Sequence, residues 1–170
     1  MPFTYFHFGP AILIGLLAYR YLDFPSFVAA NVLTDWRAAL VFLGFWPPPR
    51  HSWVHTYLGS FACALVFAAA MIYLRPYLSE YLEMFGVNSD YSNRKIVYSA
   101  LTGVTVHVTL DAFHHPTMNP FYPLMEKPLY GLMSTLEVTL FASLLGLLAF
   151  PVYYWHLNGR PVIHKKYFRD

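Results

Sequence analysis

The chain has 170 residues, of which 57% are hydrophobic, 19% aromatic and only 12% charged, and its mean hydropathy is +0.41. That length suffices for one domain, but the composition lies outside the range of ordinary soluble domains and reads as a membrane protein. The formal charge of +2 is too small, and its Lys and Arg too scattered, for nucleic acid binding, and the single cysteine, Cys63, excludes a disulfide framework and a thiolate metal site.

Apolar runs of roughly the twenty residues needed to cross a bilayer fall at about 7–22, 25–46, 54–75, 95–114 and 129–155. They predict an all-α, polytopic membrane helical bundle with five transmembrane helices, a single integral membrane domain over 1–170 that ends in a short basic cytoplasmic tail at about 157–170. The opening "MPFTYFHFGP" has no basic n-region and no small-residue cleavage site, so the first span is expected to stay in the protein. That span is short, and the second is interrupted by Asp35 and Arg37. The separators "RYLDFP", "WPPPRH", "RPYLSEYLEMFGVNSDYSNRK" and "HHPTMNPFYPLMEKP" carry prolines, which remove backbone donors and stop helices.

With five spans the two ends lie on opposite sides. One side carries Arg20, Arg75, Arg94, Lys95, Arg160, Lys165, Lys166 and Arg169, and the other only Arg50 and Lys127. The positive-inside rule then puts the C-terminus in the cytoplasm and the N-terminus outside. The expected location is the cytoplasmic (inner) membrane of a prokaryote.

This topology gathers the polar residues of the apolar runs at one level. His7 opens the first helix, Asp35 lies in the second, His51 and His55 precede or open the third, and His107 and Asp111 lie near the outer end of the fourth. His114 and His115 follow at its exit, and Glu137 stands two to three turns into the fifth. Ionisable groups are costly inside a membrane and persist there when something pairs with them. In H51-x-x-x-H55 and H107-x-x-x-D111 the members are four apart, which on a helix puts both on one face. Imidazole with carboxylate suits zinc, or iron or manganese. The bland alternatives are an ion pair of Asp35 with Arg37, interfacial histidines at 114 and 115, and a Glu137 carboxylate satisfied by Ser134 and neighbouring backbone.

The stretches "PFTYFHFGPAILIGLL", "ANVLTD", "HSWVHTYLG" and "GVTVHVTLDAFHHPTMNPFYPL", in that order, resemble the YdjM-like family of predicted membrane-bound metal-dependent hydrolases, over most of the chain. That family is in turn thought to be distantly similar to zinc-dependent phospholipase C and related nucleases. The resemblance implies a ligand set of His7, Asp35, His55 with His51 beside it, His107 and Asp111. The commoner family form of the central motif is nearer H-R-G-x-T-H-S, with its histidines five apart rather than the four found here. The phospholipase relatives have a further metal site of two histidines and a glutamate, residue types that His114, His115 and Glu137 supply.

The expected chemistry is that of one or two divalent ions, zinc foremost, that activate water and polarise a phosphoryl or acyl oxygen. Asp111 is the expected bridge, Asp35 a terminal ligand or general base, and Glu137 a partner of a ligating imidazole; Asp35, Asp111 and Glu137 are therefore the catalytic candidates. The function expected is a membrane-embedded hydrolase acting at the outer face on a lipid or lipid-linked phosphoester. Two alternatives remain: a structural or accessory subunit of a larger membrane complex with a vestigial or structural metal site, and a metal transport or sensing protein. The near absence of ionisable residues from the inner half of the helices counts against transport, which calls for ligands through the full membrane depth.

Overall fold

The computed structural model describes residues 5–47 and 53–159. His51, Arg50 and nearly all of the basic tail therefore lie outside the described residues. Within them the chain is all-helical: α1 (Tyr5–Leu17), α2 (Phe24–Leu33), α3 (Trp36–Phe42), a single 3-10 turn at Trp53–His55, α4 (Tyr57–Met84), α5 (Asn93–His114) and α6 (Thr135–Asn158).

Three of these helices, α4, α5 and α6, are long and apolar enough to cross a membrane, so the expectation of five spans is corrected to three. The first two apolar runs fold instead into a hairpin of short helices. α1 has 13 residues and α2 has 10, about 20 and 15 Å at 1.5 Å per residue, against a hydrocarbon core of about 30 Å. The second run breaks at Asp35, where the chain turns before the seven-residue α3 begins; just before the turn the Thr34 hydroxyl donates to the Ala30 carbonyl at 2.9 Å. Conversely, α4 does not stop at Pro76 but runs through it. A proline inside a helix removes one backbone donor, and here the Ser79 hydroxyl donates to the Arg75 carbonyl at 3.1 Å across the same turn.

Helix ends carry the caps that the sequence supplies. Thr56 accepts from the Gly59 amide at the start of α4, and Ser92 from the Lys95 amide at the start of α5. At the start of α6, Ser134 and Glu137 form a reciprocal capping box.

Between apolar helices in lipid there is little hydrophobic drive, so close packing of small residues decides which faces meet. α2 lies on α5, α4 on α5, and α1 on α6. Ala30, Ala64, Ala68 and Ala100 are buried where α2, α4 and α5 meet, together with Met71, Ile96 and Val104. At Gly103 a Cβ would stand 2.5 Å from the Phe27 carbonyl oxygen, so only glycine lets α2 approach α5 this closely. The Asn31 side-chain amide then donates to the Gly103 carbonyl at 3.1 Å. On the other flank, a Cβ on Gly9 would meet the Ala142 carbonyl at 2.5 Å, which fixes α1 against α6.

The tip of the α1–α2 hairpin is held by a buried ion pair that the topology count had treated as a loop cation. Arg75 lies inside α4 and is fully buried, as is Asp23. Its Nε donates to Asp23 Oδ1 at 2.9 Å, and its other nitrogens donate to Ser79 Oγ, Asn88 Oδ1 and the Ser89 carbonyl. Asp23 in turn accepts from Ser89 Oγ and from the Ser26 amide, while its own amide donates to Ser99 Oγ at 2.7 Å. Arg75 thus counts toward packing and not toward membrane orientation.

Candidate metal centre

With its tip fixed, the hairpin delivers its two open ends to the far end of α5. His7, in the first turn of α1, and Asp35, just past α2, both arrive beside His107 and Asp111. His55 comes from the 3-10 turn that leads into α4, and His114 and His115 from the last turn of α5 and its cap. From Tyr57 to Arg75 the helix rises about 27 Å, so this cluster and the Asp23–Arg75 pair occupy opposite ends of the bundle.

His55 and His107 are fully buried, and His7, Asp111, His114 and His115 nearly so. His55 Nε2 lies 3.1 Å from Asp35 Oδ1 and 4.0 Å from Asp111 Oδ2. His107 Nε2 is 3.4 Å from Asp35 Oδ1 and 3.4 Å from Asp111 Oδ2. Despite that double proximity, His107 Nε2 has hydrogen-bond geometry toward neither carboxylate. Around the other oxygen, Asp111 Oδ1 stands 3.2 Å from His7 Nε2 and 3.6 Å from His115 Nε2. The His7 and His107 rings stack at 3.9 Å between centroids, and those of His114 and His115 lie 4.0 Å apart. Asp35, His55, His107 and Asp111 bring ligand atoms within 4.8 Å of one another, and so do Asp111, His114 and His115. The two groups share Asp111.

The donor set fits a metal ion. Nitrogen and oxygen ligands about 2.0–2.1 Å from a tetrahedral zinc stand about 3.3 Å from each other, and the Asp35, His55 and His107 contacts fall near that edge length. A buried imidazole nitrogen without a hydrogen bond costs about 1–3 kcal/mol. Among the described residues, His7 Nδ1, His107 Nδ1, His107 Nε2 and His114 Nε2 have no hydrogen-bond partner. A cation bound between the Nε2 atoms and the carboxylates offsets that cost where they face it. This buried His/Asp cluster can hold a metal ion.

Of the residues singled out from sequence, His7, Asp35, His55, His107 and Asp111 come together, and His114 and His115 stand beside them. His51 lies outside the described residues. Glu137 is corrected: it is exposed, and its carboxylate accepts from the Ser134 amide at 2.7 Å as the second half of the capping box. It belongs to the start of α6 and not to the site. The sequence carried that signal in "STLE", a serine followed three residues later by glutamate before an apolar run. Sequence reasoning also missed Tyr57, whose hydroxyl lies 2.9 Å from Thr109 Oγ1 and ties α4 to α5 two residues past His107. Comparison with family models, curated proteins and solved structures finds no match.

Proposed function

We propose that the protein is a membrane-embedded metal-dependent hydrolase that acts on a lipid or lipid-linked phosphoester at the outer face of a prokaryotic inner membrane. The observation that carries this reading is the position of Asp111, whose two oxygens face two separate sets of histidines. A carboxylate so placed is suited to bridge two divalent ions, zinc being the best match to its nitrogen and oxygen neighbours. Bound there, such ions supply Lewis acidity toward a phosphoryl oxygen and toward water. Asp35, His55, His107 and Asp111 would hold one, and Asp111 with His115, and His7 or His114, the other.

The protein's own groups divide the remaining work. Asp111, with a side chain only 3% exposed, supplies the negative charge that offsets neighbouring cations. Asp35 is the more open carboxylate, its side chain 12% exposed, and with Oδ1 turned toward His55 and His107 it serves as a terminal ligand at the rim. The resemblance to the YdjM-like family implies both Asp35 and Asp111 as ligands. Because the α1–α2 hairpin returns to the side it started from, three spans leave the ends on opposite sides of the membrane, with the N-terminus outside and the C-terminus cytoplasmic.

The full burial of His55 and His107 favours one competing reading, a closed structural metal site in an accessory subunit. Metal analysis of the purified protein and of Asp111→Asn, with hydrolysis of a phosphodiester probe followed in parallel, separates the two. The hydrolase reading expects Asp111→Asn to stay folded and membrane-inserted, to lose at least one metal equivalent per chain and to lose activity. Full metal occupancy in that variant would remove the bridging role. A metal-replete wild type that cleaves no phosphoester leaves the structural reading.

A further inference from the structure

Beside the cluster, and not part of it, an apolar groove of about 440 Å³ runs along the outer face of α4. None of the described candidate ligands lines it, but near chain neighbours of three of them do. Thr34 and Trp36 flank Asp35, Trp53 and Val54 lead into His55, and Val104 lies one turn before His107. From there it extends along α4 from Ser60 to Ala70, a rise of about 15 Å. Among the described residues, no charged one lines it. Two of its hydroxyls are already committed to backbone, Thr34 to the Ala30 carbonyl and Ser60 to the Tyr57 carbonyl.

We infer that this groove takes one hydrocarbon chain of a phospholipid substrate sideways from the bilayer and sets its phosphate headgroup against Asp35 and His55. Three observations select that occupant. The groove opens on a helix long and apolar enough to span the membrane, beside the exposed side chains of Leu65 and Val66, so the medium around it is hydrocarbon. Its volume is that of an ordinary ligand pocket, but it lacks the convergent polar groups that orient a polar ligand. One end of it is lined by the chain neighbours of the candidate ligands, so an amphiphile seated there has its headgroup toward the cluster and its tail along α4. This assignment rests on the hydrolase reading for the headgroup's fate, while the seat for the chain stands on the groove alone.

The test uses the full chain in phosphatidylcholine vesicles containing a phosphatidylglycerol with a diazirine midway along one acyl chain. Photolysis is expected to put most of the adduct on the peptide that contains Ala62–Ala70. Ala70→Trp fills the groove and is expected to reduce that adduct at least tenfold. Ala69→Trp, at an exposed α4 position outside the groove, should leave it within twofold. Cys63 lines the groove and is the only cysteine, so alkylating the folded wild type with N-phenylmaleimide blocks the groove without a substitution and should match Ala70→Trp. Adducts spread evenly over α4 and α6, for example at Leu144 and Phe150, mean annular lipid and overturn the inference. A cross-linked dimer across the groove, its occupant then being a second copy of the chain, overturns it too. Labelling needs no catalysis: groove labelling without phosphoester cleavage upholds the groove against the hydrolase reading, and cleavage of a soluble phosphomonoester without groove labelling does the reverse.

Discussion

The bundle buries two polar clusters, one at each end, and they are built on opposite principles. Around Arg75 and Asp23 the donors and acceptors match: the guanidinium donates to a carboxylate, two side-chain oxygens and a carbonyl, and the carboxylate accepts in return. Around Asp111 the imidazoles crowd two carboxylates at 3.1–3.6 Å, yet several ring nitrogens lack a hydrogen bond. A buried polar network that is complete within the chain holds a fold together, whereas one that is incomplete costs stability until something from outside completes it. The first cluster is therefore read as a lock and the second as a receptor.

The sharpest way to break that distinction is Arg75→Met. It leaves Asp23 as an uncompensated buried charge and should cost about 3–5 kcal/mol, measured by unfolding in detergent. Adding Asp23→Asn should return much of the loss. If Arg75→Met instead lowers metal content while stability is unchanged, the division of roles fails. Acid provides the next largest contrast. Protons compete with a metal ion for imidazole nitrogens, so bound metal should be released as the solution is acidified. Helix content, followed by circular dichroism, should hold while the metal leaves, because the Asp23–Arg75 network contains no histidine. Retention of all metal on acidification would count against histidine ligation.

Smaller effects sharpen the boundary of the site. Thr109→Val removes the hydrogen bond to the Tyr57 hydroxyl and should cost about 1 kcal/mol with the metal stoichiometry unchanged. A loss of metal in this variant would place Thr109 within the ligand support. The smallest effect is expected for Glu137→Ala, about 0.5 kcal/mol from the lost capping box, with neither metal nor activity altered. A collapse of activity there would return Glu137 to the catalytic group from which its exposed position removes it.

Much of the receptor was legible in the sequence because its signals are local or costly. His107 and Asp111 share one helix face at a spacing of four, and charged groups inside apolar runs call for partners. The long spans were legible as well, since α4, α5 and α6 coincide with three of the apolar runs, although α4 continues nine residues past Arg75. The lock was illegible for the opposite reason. Asp23 and Arg75 are 52 residues apart in sequence, and each sits at the edge of an apolar run, where a lone charge reads as a loop marker. The interruption at Asp35 stood in the sequence, but hydropathy carried the span across it because α2 and α3 are both apolar, and only the structure shows that the helix ends there.

The hairpin that carries His7 and Asp35 has a consequence for the order in which the protein can assemble. Its anchors all emerge later from the ribosome: Arg75 is 52 residues after Asp23, Gly103 is 72 after Asn31, and Ser99 is 76 after Asp23. A nascent chain that ends before α5 therefore holds His7 and Asp35 in apolar surroundings with their partners Asp111 and His107 not yet made. The hairpin can settle only when α5 arrives, so the centre closes late in synthesis and in one step with helix docking. Chains stalled just before Asn93 should leave His7 and Asp35 reachable by water-soluble reagents, and chains stalled well past His115 should not.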